Sequence, residues 1–243
     1  FDEAYGGLGG KSADLMIVME QFGKGLVVEP YLPTVILAGG LISKLGSEEQ
    51  KNSIIPEIIS GNIRCAFAYA EPQSRFDLND VKTSAVLNGD DYVLNGFKSV
   101  VFGAGMASHL IISARTEGEQ RSESGITLFI VDTKSEGLTL QNYPTIDEYR
   151  ASEVIIENLK VSKDNVLGKV NMAYDAIEEI VDISTIAACS EAVGILQVLK
   201  DSTTEYCKNR KQFGQSIAKN QVIQHRLVDM MIEYEQAKSI LYM

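Results

Sequence analysis

The chain has 243 residues, 45% hydrophobic and 23% charged, with 33 acidic against 22 basic side chains for a net charge of −11. That length suggests one or two domains with a sizeable core, and the acidic balance excludes nucleic acid as the main partner, because phosphate binding calls for a basic surface. No run approaches the roughly eighteen apolar residues of a membrane span; three scattered cysteines (Cys65, Cys189, Cys207) and two histidines exclude a disulfide framework, a zinc site and a His-rich metal centre, and fit a reducing, cytoplasmic compartment.

Residue 1 falls inside a pattern and is not Met, so a fragment truncated at both ends is expected. Residues 11–61 carry a helical period: Leu15, Val18, Met19 and Phe22 fall on one helix face. Ser47-Glu48-Glu49-Gln50 has the form of a capping box before an apolar run to Ile59. Pro56 should kink or shorten that helix, and Gly61 is placed to stop it.

Residues 62–166 change character. Short runs rich in Val, Ile, Phe and Tyr appear at Ile63–Tyr69, Ser84–Leu87, Tyr92–Leu94, Leu110–Ala114, Ile126–Val131 and Val154–Ile156. Asn88-Gly89-Asp90-Asp91 between two of them signals a hairpin. With no helix-length pattern intervening, an antiparallel barrel or sandwich is expected. From residue 169 the helical period returns, through Ile177, Ile180, Val181, Ile186, Val193 and Leu196, and predicts a long helix to about residue 210 and a second from about Asn220 to the end. The fold class is therefore α+β, divided as N-terminal helices (1–62), a central β-domain (63–168) and an incomplete C-terminal helical bundle (169–243).

Gly6-Gly7-Leu8-Gly9-Gly10-Lys11-Ser12 imitates a phosphate-binding loop, but Tyr5 occupies the first required glycine position and no buried strand precedes it; a turn into the helix from Lys11 is the expectation. Ala68 to Asp77 follows a strand, whose end can present backbone groups to a planar heterocycle. Asn95-Gly96-Phe97-Lys98-Ser99-Val100-Val101 reads as the second arm of the hairpin. Arg210-Lys211-Gln212-Phe213-Gly214 reads as a helix terminus with basic residues on the dipole and a glycine cap. That reading leaves Phe213 unaccounted for, and an Arg beside an aromatic suits a diphosphate next to a ring. His225, among Gln221, Gln224 and Arg226, reads as a surface helix histidine.

Taken together, these pieces resemble the acyl-CoA dehydrogenase family over nearly the whole chain, in the family's order. Glu3-Ala4-Tyr5-Gly6-Gly7 resembles an acidic–aromatic–Gly-Gly segment, Gly46 to Lys51 resembles G-[ST]-x-x-Q-[KR], and Ala68 to Asp77 resembles A-x-T-E-P-x-A-G-S-D. Asn95 to Lys98 matches N-G-x-K, Arg210 to Gly214 matches R-x-x-F-G, and Gln221 matches the Gln that follows. Glu29-Pro30-Tyr31-Leu32, the Glu71 to Asp77 run, Lys98 to Val101 and Glu191 to Gly194 are most similar to the small subunit of pimeloyl-CoA dehydrogenase-type enzymes, which act on dicarboxylyl-CoA.

The resemblance implies FAD as cofactor, α,β-dehydrogenation of an acyl-CoA thioester, an electron-transfer acceptor protein, and a homo-oligomer or a heteromer with a related large subunit. It places Arg210 and Phe213 at positions that reach a neighbouring subunit's FAD, and Gln221 at another flavin contact. Tyr69 and Ala70 fall where strand-end groups meet the flavin, with Ala70 replacing the usual hydroxyl residue. Val100, Val101 and Phe102 fall on the flavin-lining strand, Val100 and Phe102 replacing Trp and Thr. Phe76 falls in the substrate loop, where Gln73-Ser74-Arg75-Phe76 replaces A-G-S. Thr185 falls at a substrate position that is usually Arg, and Arg75 or Arg150 could meet a distal carboxylate. Ser184 stands where some members carry the catalytic glutamate; others carry it after the region this chain covers, so no catalytic residue is assigned. The competing readings are a non-catalytic subunit that completes a partner's FAD site, and a flavin monooxygenase or oxidase of the same fold.

Overall fold

In a computed structural model describing residues 1–243, the chain divides into two compact units: Phe1–Gly9 with Val28–Ser184, and Gly10–Val27 with Thr185–Met243. Helices lie on either side of a strand-rich middle in the sequence, as the change of hydrophobic period requires.

In the first unit, Leu32–Ala38 winds as a wide π-turn directly into a short helix, Gly39–Leu45 (α2 here, since α1 lies in the other unit), and α3 follows at Glu48–Ile59. The capping box that starts α3 is present: Gln50 N donates to Ser47 Oγ (3.2 Å) and Ser47 N to Gln50 Oε1 (3.0 Å). The Gln50 amide nitrogen then reaches the carbonyls of Asp164 (3.1 Å) and Val166 (3.0 Å), so one residue caps the helix and ties it to the sheet. α3 runs through Pro56 and ends within its next turn, before Gly61 at φ +77°.

The sheet has eight strands: β1 Cys65–Ala68, β2 Ser84–Asn88, β3 Asp91–Phe102, β4 His109–Arg115, β5 Ile126–Asp132, β6 Leu138–Pro144, β7 Arg150–Ser162 and β8 Val166–Leu167. Their order is β6-β7-β3-β2-β4-β5-β8, with β1 also on β4. The predicted hairpin turn joins β2 to β3 across Gly89-Asp90, with Gly89 at φ +67°. The sheet does not close into a barrel, and it is not wholly antiparallel: β1 runs parallel to β4 from Cys65↔His109 to Ala68↔Ile112, and β2 meets β4 in parallel only at Ser84↔Arg115. The same side of β4 is thus served first by β1 and then by β2. One apolar cluster packs a sheet face against α2, α3 and the start of α4 (Tyr174–Asn209), through Leu41, Ile42, Ile55, Phe67, Ile111 and Ile177. A second, around Leu94, Leu110, Phe129, Val154 and Leu159, fills the other face.

The second unit holds α1 (Ser12–Gly25), the remainder of α4, a hairpin of β9 (Lys211–Gln212) and β10 (Gln215–Ser216), and α5 (Gln221–Leu241). Two glycines set the approach of α1 to α4. A Cβ at Gly23 would stand 1.9 Å from the Glu191 carbonyl oxygen, and one at Gly194 would stand 2.0 Å from that of Glu20. Each helix therefore offers a glycine to the other's backbone, and both obstacles are carbonyls that no rotamer change removes. The crossing is bordered by the buried Glu20, which pairs with Lys24 (3.1 Å) and accepts from the Tyr242 hydroxyl (3.1 Å). Lys200 lies 4.5 Å from the centroid of the buried Tyr234 ring.

Gly23→Ala and Gly194→Ala are each expected to lower stability by about 1–3 kcal/mol, because forcing a methyl into a closed contact shifts backbone. Urea unfolding measures it; unchanged midpoints for both variants would show that the helices separate without cost.

Candidate functional site

Leaving β1, the chain makes an excursion from Tyr69 to Thr83 before it returns as β2. Where it returns, the β4 ladder has lost one partner and only begins to gain the next, so backbone groups there need other acceptors. Glu71 supplies them: the Thr83 N–H donates to its Oε1 (3.0 Å) and the Lys82 N–H to its Oε2 (2.8 Å). The charge of Glu71 is met by Lys98 of β3, whose ammonium donates to Glu71 Oε1 (2.7 Å), to Ser113 Oγ of β4 (3.1 Å) and to the Tyr69 carbonyl (3.4 Å). The side chains are 0% and 2% exposed for Lys98 and Glu71. Burial draws the Lys98 ammonium below its ordinary value, with Glu71 opposing. For Glu71, burial acts to raise the carboxyl, but the Lys98 charge and the hydrogen bonds outweigh it and hold the group below the usual carboxylate value.

The rest of the Asn95-Gly96-Phe97-Lys98 run serves the same junction. Asn95 Oδ1 accepts from the Asn158 N–H (2.8 Å) at a bulge in the β3–β7 ladder. A Cβ at Gly96 would lie 2.4 Å from Thr83 Oγ1 and 2.7 Å from its Cα, so only glycine lets the returning chain pass. A second irregularity follows between Lys98 and Val101. There the Ser99 N–H donates to the Ala70 carbonyl (2.9 Å), and Val100 takes φ +52°. A β-branched residue in that left-handed region is strained.

The structure thus brings together Tyr69, Ala70 and Val100–Phe102, five of the sequence-derived cofactor positions. Val100 and Phe102 are half exposed, while Val101 turns inward to pack in the second core, so its side chain is withdrawn from any ligand. The exposed Val100, one residue from the Ser99–Ala70 hydrogen bond, sets an apolar side chain beside polar strand-end backbone, an arrangement that suits a planar ring with a polar edge.

The loop beyond Glu71 is internally bonded. Ser74 Oγ accepts from Glu71 N (3.0 Å) and donates to Glu71 O (2.9 Å), and the Gln73 amide donates to Glu71 Oε2 (2.8 Å) and Asp80 Oδ1 (3.2 Å). Asp80 is buried and also accepts from Gln120 (2.5 Å) and Arg121 (3.0 Å). Its carboxyl is held below the ordinary value, chiefly by the Gln120 hydrogen bond. Ser74 is therefore an internal clasp, and Phe76 stands at the loop tip almost fully exposed, beside Arg75 at φ +49°. No hydrogen bond links Phe76 to the Tyr69–Val100 group. Arg150 opens β7 at an exposed position.

In the second unit, α4 ends at Asn209, so Arg210 to Gly214 is not the helix terminus its sequence suggests. Phe213 and Gly214, at φ +51° and +78°, form a two-residue turn between β9 and β10, with Gln212 paired to Gln215. Positive φ at both central residues is the primed hairpin geometry that normally selects Asn-Gly or Gly-Gly. Here the first place is a fully exposed phenylalanine. The hairpin is fastened at its base by Ser216 Oγ to the Cys207 carbonyl (2.8 Å) and Ile217 N to the Arg210 carbonyl (3.0 Å). Gln221 is the first residue of α5, exposed like Arg210, and His225 is exposed on the same helix. Thr185 is on an exposed part of α4, while in the first unit the Ser184 hydroxyl donates to the Val181 carbonyl (2.8 Å).

Comparison with known proteins identifies this scaffold. Three family models match in succession: "Acyl-CoA dehydrogenase, N-terminal domain" over residues 1–62, "Acyl-CoA dehydrogenase, middle domain" over 66–159 and "Acyl-CoA dehydrogenase, C-terminal domain" over 174–243. The chain belongs to the acyl-CoA dehydrogenase family. Among curated relatives it is 35% identical to the caffeyl-CoA reductase-Etf complex subunit CarC of Acetobacterium woodii, over 99% of this chain and 64% of that protein. It is 33% identical to the human mitochondrial short-chain specific acyl-CoA dehydrogenase, over 95% of this chain and 58% of that one. The butyryl-CoA dehydrogenase of Megasphaera elsdenii superposes with a TM-score of 0.92 at 29% identity, over 100% of this chain and 65% of that structure. The chain accordingly spans somewhat under two thirds of the length of these relatives.

Within this family member, sequence reasoning missed the Lys98–Glu71 pair. Both residues sat inside matched motifs, but a lone Lys on a strand and a lone Glu in a loop carry no signal of mutual burial. Gly96 was the available clue: a glycine within a strand marks a close backbone approach.

Glu71→Gln leaves the Lys98 ammonium buried without its counter-charge and is expected to lower stability by about 3–5 kcal/mol near neutral pH. Because the folded Glu71 carboxyl is held below its ordinary value of 4.5, its stabilisation is complete above that pH and is lost as pH falls through the lower folded value. The gap between wild type and variant should therefore narrow on acidification, in denaturant unfolding followed across that range; a gap independent of pH would contradict the ionised pair. Val100→Gly should raise stability by about 1 kcal/mol by relieving the left-handed backbone, which the same unfolding experiment reads.

Proposed function

We propose that this chain forms most of the flavin- and substrate-binding framework of an FAD-dependent oxidoreductase acting on the CH–CH bond α,β to an acyl-CoA thioester. The observation that carries the reading is the junction around Lys98 and Glu71, which brings Tyr69–Ala70 and the Val100–Phe102 ledge together within a chain of this family. A division into 1–62, 63–168 and 169–243 follows, supported by the three successive family matches.

When bound, FAD supplies the hydride-accepting chemistry. The chain's own groups orient and exclude water. The backbone of Tyr69 and Ala70 would meet the polar edge of the ring, and Val100 and Phe102 its apolar face, with Val101 contributing backbone only. Arg210 would hold phosphate oxygens of a neighbouring subunit's FAD, with Phe213 packing beside them, and Gln221 would add another flavin contact. Phe76 and Thr185 would contact the acyl-CoA, with Arg75 or Arg150 available to a distal carboxylate. Removal of the α-proton needs a carboxylate base, and Ser184 cannot serve as one.

An electron-transfer protein is the expected redox partner, in line with a relative named as part of an Etf complex. A homo-oligomer, or a heteromer with a related large subunit, is the expected assembly, in a cytoplasmic setting; no helix is long and apolar enough to cross a membrane. A second reading, a non-catalytic subunit that completes a partner's FAD site, is favoured by Val100 and Phe102 in place of Trp and Thr, and by Gln73-Ser74-Arg75-Phe76 in place of the A-G-S segment.

Anaerobic addition of acyl-CoA thioesters, including dicarboxylyl-CoA, to the FAD-loaded protein is expected to bleach the flavin band. Absence of bleaching with every thioester would overturn the catalytic reading, and failure to take up FAD without a co-expressed large subunit would favour the subunit reading. Arg210→Ala is expected to weaken FAD binding about tenfold, the loss of one charge-assisted hydrogen bond, as measured by flavin titration.

A further inference from the structure

The Lys98–Glu71 pair lies behind the surface formed by Tyr69, Ala70, Val100 and Phe102, and is itself wholly buried. One of its bonds reaches that surface directly, and two more hold the far end of the excursion. The ammonium holds the Tyr69 carbonyl, the carboxylate holds the N–H groups of Lys82 and Thr83 at the far end of the same excursion, and Lys98 immediately precedes the strained Ser99–Val100 bulge. The Ser99 N–H closes the ring by donating to the Ala70 carbonyl.

We propose that Lys98 and Glu71 are positioning residues for the flavin: acting as one unit, they hold the Tyr69–Ala70 strand end and the Ser99–Phe102 bulge at a fixed mutual spacing. This rests on the FAD reading above. The argument is one of economy of contacts. Burying an ion pair is a poor way to stabilise a sheet, since well-packed apolar residues of similar volume often do as well or better. What an ammonium does, and a methyl group cannot, is bind three acceptors at once and so tie its own strand, β3, to two other segments: Glu71 and the Tyr69 carbonyl in the excursion, and Ser113 on β4. The geometry it enforces converges on the one place where a β-branched residue is kept at positive φ. Strain of that kind persists only where surrounding contacts over-determine the backbone.

The test uses the whole chain carrying Lys98→Met together with Glu71→Gln, which removes both charges and keeps the side-chain shapes. Three readings are taken: amide hydrogen exchange at Ser99–Phe102 in flavin-free protein, FAD affinity by titration, and the shape of the bound flavin's visible band. The double variant is expected to unfold cooperatively, to exchange those amides at least about tenfold faster, to bind FAD about tenfold more weakly and to show an altered flavin band. Wild-type exchange, affinity and spectrum in the folded double variant would overturn the proposal. So would faster exchange with unchanged affinity and spectrum, because the pair would then serve only the fold.

Should the double variant not fold, Ser113→Ala keeps the ion pair and removes one of its three anchors; it should shift the same amides and the same band by smaller amounts, and no shift overturns the proposal. Lys44→Met, which breaks an exposed pair with Glu179, is the control that leaves all three readings unchanged. Wild-type protein that takes up no FAD would sink the functional reading instead, and the exchange rates alone would then decide whether the pair fixes the two segments.

Discussion

A β-sheet strand that changes partners midway leaves its neighbours with unpaired backbone groups, and in this chain the repair is an ion pair. β4 is flanked by β1 along its first half and touched by β2 only at Arg115. The excursion between them returns under Glu71, whose two oxygens take the N–H groups that the sheet does not. A carboxylate is suited to the task because it accepts from several directions, but it brings a charge into a buried place. Lys98 neutralises that charge and ties β3 to β4 and to the Tyr69 carbonyl at the start of the excursion. The cost of burying both groups is offset by the number of acceptors and donors satisfied together.

From that junction the candidate site follows by connection rather than by separate design. Gly96 allows Thr83 to pass, the Ser99 N–H caps the Ala70 carbonyl, and the chain bulges at Val100 before Val101 re-enters the core. The exposed pair Val100 and Phe102 is what remains outside. The exposed hairpin tip of the second unit has a similar logic on a smaller scale: a short ladder and two anchoring hydrogen bonds hold an aromatic at a backbone angle it would not choose. Val100 and Phe213 are thus both kept at positive φ by contacts from the chain around them.

The sequence disclosed the elements whose pattern was strong. The long helix, the capping box at Ser47–Gln50 and the Asn88–Asp91 hairpin all have local causes that show in composition. β6 escaped notice because it is an edge strand whose polar residues, such as Gln141 and Asn142, break the apolar alternation, and β8 because two residues form no pattern. The parallel placement of β1 on β4 depends on chain routing over some forty residues, which no local rule reports. Gly214 was misplaced for a different reason: a glycine after basic residues announces a helix cap and a primed turn equally well, and only the pairing of Lys211 with Ser216 distinguishes them. Lys98 shows the general limit. Charged residues are read as exposed, and a buried one becomes visible only with its partner.

The reciprocal glycines of α1 and α4 have a kinetic consequence. Gly23 and Gly194 lie far apart in the sequence, and α1 is flanked on both sides by segments belonging to the other compact unit. Their contact closes a very long loop, and such contacts contribute little until the intervening chain is already ordered. The docking of α1 is thus a late step in folding, and substitutions there should speed unfolding more than they slow folding. A helix that precedes the whole sheet in the sequence is, in the order of assembly, among the last pieces to arrive.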